Sequence, residues 1–173
     1  QKGQNDQAIT EFNEAIRIKP DYALAYFNRG LCRFTTGQFS VAASDFAQSV
    51  KLDPSDAYGS LWLHIVRSKM GQADPKTLKR DATKIDRSKW PGPVIDLYLG
   101  HTTPEQLRKI PLTGNAFDKQ DQACQTIFFI GEYELLEKHF AAARSLLQQV
   151  VDTCSTTFYE RTAAVSELRR MQR

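Results

Sequence analysis

Histidine has the widest range of chemistry of any side chain in this sequence, which contains three histidines. Their spacing does not indicate a site that they share. His64, His101 and His139 form no pair at the short spacing that places two metal ligands on one helix or loop. No serine or threonine lies in a known nucleophile motif with a histidine, and no glycine-rich phosphate loop occurs. We therefore predict no catalytic residue, no metal site and no cofactor, and we interpret His64 as a packed histidine on an apolar helix.

The three cysteines form neither a disulfide framework nor a zinc motif. Cys124 begins one predicted helix and Cys154 follows the end of its antiparallel partner, so a helical hairpin brings the two thiols near each other. A disulfide between them is one outcome and two buried free thiols are the other. Of these, the sequence favours the free thiols.

The elements that carry these residues repeat with a period of 34 positions, as the pair Gly3 and Gly37 illustrates. Small residues of the pattern allow two helices to approach closely, phenylalanines fill the space between them, and prolines prevent the helix from continuing. The pattern resembles the tetratricopeptide (TPR) repeat, a helix–turn–helix unit that stacks with its neighbours. The repeat positions are Gly3, Ala8, Phe12, Pro20, Gly30, Gly37, Ala42, Phe46 and Pro54, with Gly131 and Ala143 in a later hairpin.

We predict an all-α fold, a TPR helix–turn–helix solenoid with an irregular helical insertion and a C-terminal capping helix, of about nine to ten helices. One domain covers residues 1–173, and Gly3 is expected at a turn before a helix over 6–18. In the capping helix the charged side chains, Glu160 and Glu167 among them, are expected to face water. The predicted segments are 1–22 (second half of a truncated repeat), 23–56 (complete repeat), 57–72 (start of a third), 73–121 (insertion), 122–155 (TPR-like repeat) and 156–173 (capping helix).

The first helix of each TPR lines a concave groove, which makes one face of the helix in 23–36 the predicted binding surface. Asn28 can bond a peptide backbone through its amide, while Phe27 and Phe34 offer apolar contact. The alternative is that several of these side chains pack on helices that the given sequence lacks. The predicted groove residues are Leu24, Phe27, Asn28, Leu31 and Phe34.

Composition excludes several classes of function. Hydrophobic residues make up 41% and charged residues 25%, which indicates a folded chain, and no apolar run approaches the roughly 20 residues of a membrane span. The net charge of +3 is too small to argue for nucleic acid. Residues 67–89 hold eight Lys/Arg against three Asp, but no aromatic residue precedes Trp90 among them. We interpret this stretch as a solvated helix face.

With these elements placed, the second half of the sequence resembles the NlpI-like TPR lipoproteins. That family consists of TPR adaptors of the bacterial outer membrane that face the periplasm, form dimers, and dock peptidoglycan hydrolases and a processing protease. The resemblance therefore implies a non-catalytic scaffold with protein partners, in the periplasm or at the outer membrane, and a lipid-anchored parent chain. The segments that carry the resemblance are SLWL at 60–63, Trp90 with VIDLYLG at 94–100, TPEQL at 103–107, Phe128 with GEY at 131–133, and FYER at 158–161.

Two properties of that family fall on no residue of this sequence, namely the lipid-bearing cysteine and the dimer contacts of the N-terminal helices. The alternative function is a cytosolic co-chaperone-like TPR adaptor that binds peptide C-termini. Asn28 matches the carboxylate clamp of such adaptors, but Tyr58 and Trp62 stand where the clamp needs basic groups.

Overall fold

The computed structural model describes residues 2–172, without the side chains of Lys2, Gln4 and Pro75, and this part of the chain consists of helices and the turns and loops between them, without a strand. The predicted all-α class is confirmed. No helix within 2–172 is long and apolar enough to cross a membrane. The helices are α1 (Lys2–Ile18), α2 (Ala23–Thr35), α3 (Phe39–Leu52), α4 (Ala57–Lys69), α5 (Pro75–Asp81), α6 (Gly92–Tyr98), α7 (Pro104–Arg108), α8 (Ala116–Leu136), α9 (Phe140–Thr153) and α10 (Tyr159–Arg170), and one 3-10 turn spans Ala82–Lys84.

The chain divides into two compact units, Gln1–Asp86 and Arg87–Arg173. In the first unit, successive helices from α1 to α5 pack on one another. Gly37 and Gly71 adopt positive φ angles of 77° and 67° after α2 and α4, a conformation that glycine reaches at little cost. Each glycine thereby reverses the chain at the end of a first helix.

The α2–α3 hairpin depends on a close approach at Gly30. A methyl group at that position would lie 2.8 Å from the Cε1 atom of Phe46, whose side chain is fully buried. The ring of Phe46 therefore occupies the space that any other residue at position 30 would fill. Ala42 is also fully buried in this hairpin.

One repeat position is occupied differently from the prediction. Gly3 lies inside α1 and has no positive φ, whereas we expected it at a turn. Gly37 and Gly71 each follow a helix at a positive φ, whereas Gly3 lies in the first turn of α1. The predicted turn at Gly3 is therefore wrong.

Replacing Gly30 by alanine should destabilise the first unit by about 1–3 kcal/mol, because Phe46 must shift to admit the methyl group. Urea unfolding would measure the change. Gly3→Ala is the matched control, since a methyl group there meets no atom within 4 Å and alanine favours a helix. Equal destabilisation by both variants would contradict the close approach.

In the second unit, two capping boxes fix where helices begin. The Thr103 and Gln106 side chains each bond the other's backbone before α7. Asn115 and Asp118 do the same before α8, so that helix begins at Ala116 and not near residue 122 as we expected. The predicted insertion, 73–121, therefore includes the first residues of α8.

The α8–α9 hairpin repeats the close packing of the first unit with different turn chemistry. A methyl group on Gly131 would lie 3.1 Å from Leu147 Cδ2, and Ala143 is fully buried. Lys138 takes the positive φ, 64°, that glycine takes in the earlier turns. Lysine is sterically disfavoured in this conformation, so its presence in the sequence does not mark a turn as a glycine would.

The capping helix α10 differs from the prediction in its charged residues. Glu160 and Glu167 are 7% and 3% exposed, although we expected both to face water. Glu160 accepts a hydrogen bond of 3.1 Å from Gln125, and Glu167 pairs with Arg170 at 2.8 Å. Burial nevertheless raises the pKa of the Glu160 carboxyl above its ordinary value.

Candidate functional site

The five predicted groove residues on α2 divide into an accessible end and a closed end. Leu24 is 53% exposed, and Phe27 and Asn28 are partly exposed. Leu31 and Phe34 are buried, at 7% and 0% exposure, so they cannot line an open groove as we expected. Only the N-terminal half of the predicted face is available to a partner.

An aromatic cluster between α2, α3 and α4 closes the other half. The Phe34 ring meets the Trp62 ring edge-on at 4.9 Å, and Trp62 stacks on Phe46 at 6.1 Å. Phe39 covers Phe34 from the start of α3, with ring centroids 5.5 Å apart. These rings fill the space in which a groove would continue.

Phe27 lies at the boundary between the two halves. Its ring centroid is 5.7 Å from that of Phe46, so part of this side chain belongs to the core. Truncating Phe27 would therefore disturb packing as well as binding. Leu24 and Asn28 are the better probes of surface contact, since the structure records no side-chain hydrogen bond for Asn28.

A cluster of polar side chains holds α2 in place behind this surface. Arg29 donates to both carboxylate oxygens of Asp45 at 2.6 and 3.0 Å, and Arg33 donates to the same carboxylate at 2.7 Å. Arg29 also bonds the Asn13 side chain of α1 at 2.7 Å. Asp45 is only 3% exposed, so the cluster joins α1, α2 and α3 through one buried carboxylate.

Three of the four large apolar side chains that are exposed in the described part of the first unit lie where α1 passes into α2, and the fourth is Val41 of α3. Ile18 is 70% exposed and Tyr22 is 40% exposed, and with Leu24 they fall within seven consecutive residues. We call these three residues the α1–α2 corner. A Tyr26 hydroxyl bond of 3.3 Å to the Pro20 carbonyl braces the intervening turn. Exposed apolar side chains grouped in this way are typical of protein-binding surfaces.

Sequence reasoning identified Leu24 in the corner and missed Ile18 and Tyr22. Both lie at helix ends, outside the helical face from which the groove was predicted. Ile18 lies about 120° around the helix from the centre of the apolar stripe of α1, so it does not belong to the face that packs on α2. The missed signal is that it is the last residue of its helix, where a neighbouring helix no longer covers it.

The residues compared with a carboxylate clamp do not form one. Trp62 is 1% exposed in the aromatic cluster and cannot reach a ligand. The accessible part of α2 therefore offers apolar contact and one amide, without a pair of cations directed at a carboxylate.

The histidines and pockets add no site with its own chemistry. Burial lowers the pKa of His64 below its ordinary value, as for a packed neutral histidine. His64 borders a pocket between α4 and α5 with Ser60, Arg67 and Asp81, but this pocket has room for only about one water molecule. Among the described residues, no three His, Cys, Asp or Glu side chains could hold a metal ion together.

The second unit contains a disulfide between Cys124 and Cys154. The two Cα atoms lie 5.9 Å apart, and the bond joins the first half of α8 to the residue after α9. Both residues are 6% exposed. The sequence favoured free thiols, because helical spacing fixes which residues are near each other and not whether they are bonded.

Two family models match this chain. A model described as TPR repeat matches residues 1–37, and one described as Tetratricopeptide repeat matches residues 23–56. Both fall on α1–α3, the part of the chain in which the 34-residue period is clearest. The matches support a generic TPR family, whose stacked repeats serve protein–protein interaction.

Proposed function

We propose that this chain is a non-catalytic adaptor that binds partner proteins at the α1–α2 corner. The observation that carries the proposal is that Ile18, Tyr22 and Leu24, three of the four exposed large apolar side chains in the described part of the first unit, lie within seven consecutive residues. TPR repeats bind proteins, and a rigid helical scaffold presents these three side chains without a large ordering cost. Asn28, one helical turn after Leu24, adds a hydrogen-bonding amide beside the corner.

We further propose that the adaptor works in the bacterial cell envelope and holds a peptidoglycan hydrolase or a protease. Two observations support the compartment and the type of partner. The Cys124–Cys154 disulfide is of the kind that persists in an oxidising periplasm and is rare in the cytosol. The resemblance to the NlpI-like lipoproteins, carried by segments from 60–63 to 158–161, supplies the type of partner.

A double variant, Ile18→Glu with Leu24→Glu, tests the binding surface. Each change places a charge where an apolar contact would be buried, so capture of the partner should fall roughly 10- to 100-fold for two contact residues. The measurement is the amount of hydrolase or protease, identified by mass spectrometry, that immobilised chain retains from a bacterial envelope extract. Because both side chains are exposed, helical content should not change.

The matched control is Val41→Glu with Ser44→Glu, which adds the same charge at exposed positions of α3. This control should retain the partner. Equal loss in both variants would mean that added charge alone is responsible. Undiminished capture by the corner variant would contradict the corner as the binding surface, and a parent chain that retains no hydrolase or protease would contradict the proposed partner.

A further inference from the structure

Positive charge is concentrated in one short stretch of the sequence. Residues 67–89 contain eight of the 23 lysines and arginines and only three of the 20 acidic residues. The rest of the sequence therefore holds fifteen basic against seventeen acidic residues. The small net charge of the whole chain conceals this asymmetry.

Four of these cations are exposed on α5 and on the 3-10 turn that follows it. Leu78 of α5 and Ala82 of the turn are buried, at 2% and 6% exposure, and fix which side of these two elements points inward. The side chains of Lys76, Lys79, Arg80 and Lys84 are exposed. We call these four residues the lysine face.

Carboxylates near the lysine face are already engaged. Asp81 is 4% exposed and accepts from Arg80 at 3.1 Å. Asp74 caps α5 by accepting from the Lys76 backbone at 3.0 Å and from the Thr77 hydroxyl at 3.3 Å. In the part of the chain that is described, none of the three lysine side chains of this face forms an ion pair. Their charge is available to an external anion.

The composition of the lysine face does not suit a protein partner. Protein interfaces are depleted in lysine and centre on buried aromatic residues and arginine. No large apolar side chain is exposed among the described side chains of 67–89, and the one arginine of the face is held by Asp81. Lysine ammonium groups act as hydrated point charges that require no fixed geometry of their partner. They therefore suit a surface on which many negative charges lie close together without a fixed arrangement.

We propose that the lysine face binds the anionic phospholipid headgroups of a membrane surface. Each lysine or arginine close to such a surface strengthens binding by about fivefold, so the three lysines, whose charge Asp81 does not offset, give a weak association that depends on salt. This inference is separate from partner binding at the α1–α2 corner, which involves other residues of the same unit.

The test is co-sedimentation of the untagged chain with vesicles of phosphatidylcholine, with and without phosphatidylglycerol, at low salt. The chain should sediment only with the anionic vesicles and should be released at about 1 M salt, where the screening length falls to roughly 3 Å. Lys79→Gln with Lys84→Gln should weaken binding about 25-fold, since two charges are removed at about fivefold each.

Lys51→Gln with Lys119→Gln is the matched control, because it removes the same charge from exposed positions elsewhere. It should weaken binding less than Lys79→Gln with Lys84→Gln does, because neither position belongs to the lysine face. Equal weakening by both pairs would overturn the proposal. So would failure of the parent chain to bind anionic vesicles, a measurement that needs no variant to fold.

Two competitors separate the lysine face from other anion sites. Soluble polyglutamate that binds the chain while anionic vesicles do not would assign the face to an acidic polypeptide and overturn the lipid proposal. Inorganic phosphate that displaces the chain at concentrations where chloride of equal ionic strength does not would indicate a site for a single phosphate, and would overturn it as well. Displacement by both salts alike is the expected result.

Discussion

Replacing Asp45 by alanine should destabilise the first unit by about 3 kcal/mol, at the lower end of what removing one partner of a buried ion pair costs. The change leaves two guanidinium groups without the carboxylate that both now contact. The Arg29 and Arg33 side chains are 15% and 20% exposed, so water can recover part of the loss. Native-state hydrogen exchange of α2 and α3 peptides would measure the free energy of opening.

Asp21→Ala is the control for this experiment, because Asp21 is exposed in the turn before α2. Its effect should stay within about 0.5 kcal/mol. A third variant, Asp45→Asn, preserves the shape of the side chain and should still show most of the destabilisation expected for Asp45→Ala. If it does not, the contribution of Asp45 lies in hydrogen bonding and shape, and the predicted role of its charge is wrong.

The sequence contains enough information to locate the hairpins of the first unit. Small residues such as Gly30 and Ala42 recur at a fixed distance from Phe46, and the close approach of two helices accepts few alternatives at those positions. Close contact within one hairpin restricts the residue type at each contacting position, and this restriction is visible in the sequence. This is why the α2–α3 hairpin could be predicted from residue types alone.

The accessible surface could be predicted only in part. Helical periodicity identifies the residues that share a face, but it does not tell whether another helix covers that face. Leu24 and Phe34 lie on the same side of α2, yet one is 53% exposed and the other is covered by Phe39 and Trp62. Whether a face is covered depends on how later helices pack against it, and the spacing of residues within one helix does not show this.

Buried charge in the second unit escaped the sequence for a related reason. Glu160 has the residue type and helical position of a water-facing side chain. It is buried because Gln125 of α8 lies opposite and donates to its carboxylate, while Trp90 donates to the same Gln125 side chain at 2.5 Å. A bond between residues 35 positions apart leaves no periodic signal.

Removing the disulfide should destabilise the second unit by about 3–4 kcal/mol. Cys124 and Cys154 are 30 residues apart, and the chain-entropy model assigns this value to a loop of that length in the unfolded chain. We expect Cys124→Ala with Cys154→Ala to lower the midpoint of urea unfolding accordingly, and a thiol reductant to lower the midpoint of the parent chain by a similar amount.

The double variant also distinguishes loss of the bond from loss of packing. A reductant should not change its stability further, because no disulfide remains to be reduced. Cys32→Ala provides the control for removing a thiol: Cys32 is free and partly buried, so the variant should remain as sensitive to reductant as the parent chain.

Material from an oxidising compartment in which all three cysteines react with a thiol reagent after unfolding would contradict the disulfide. It would also remove the structural support for an envelope location, while the TPR scaffold of the first unit and its exposed corner would be unaffected.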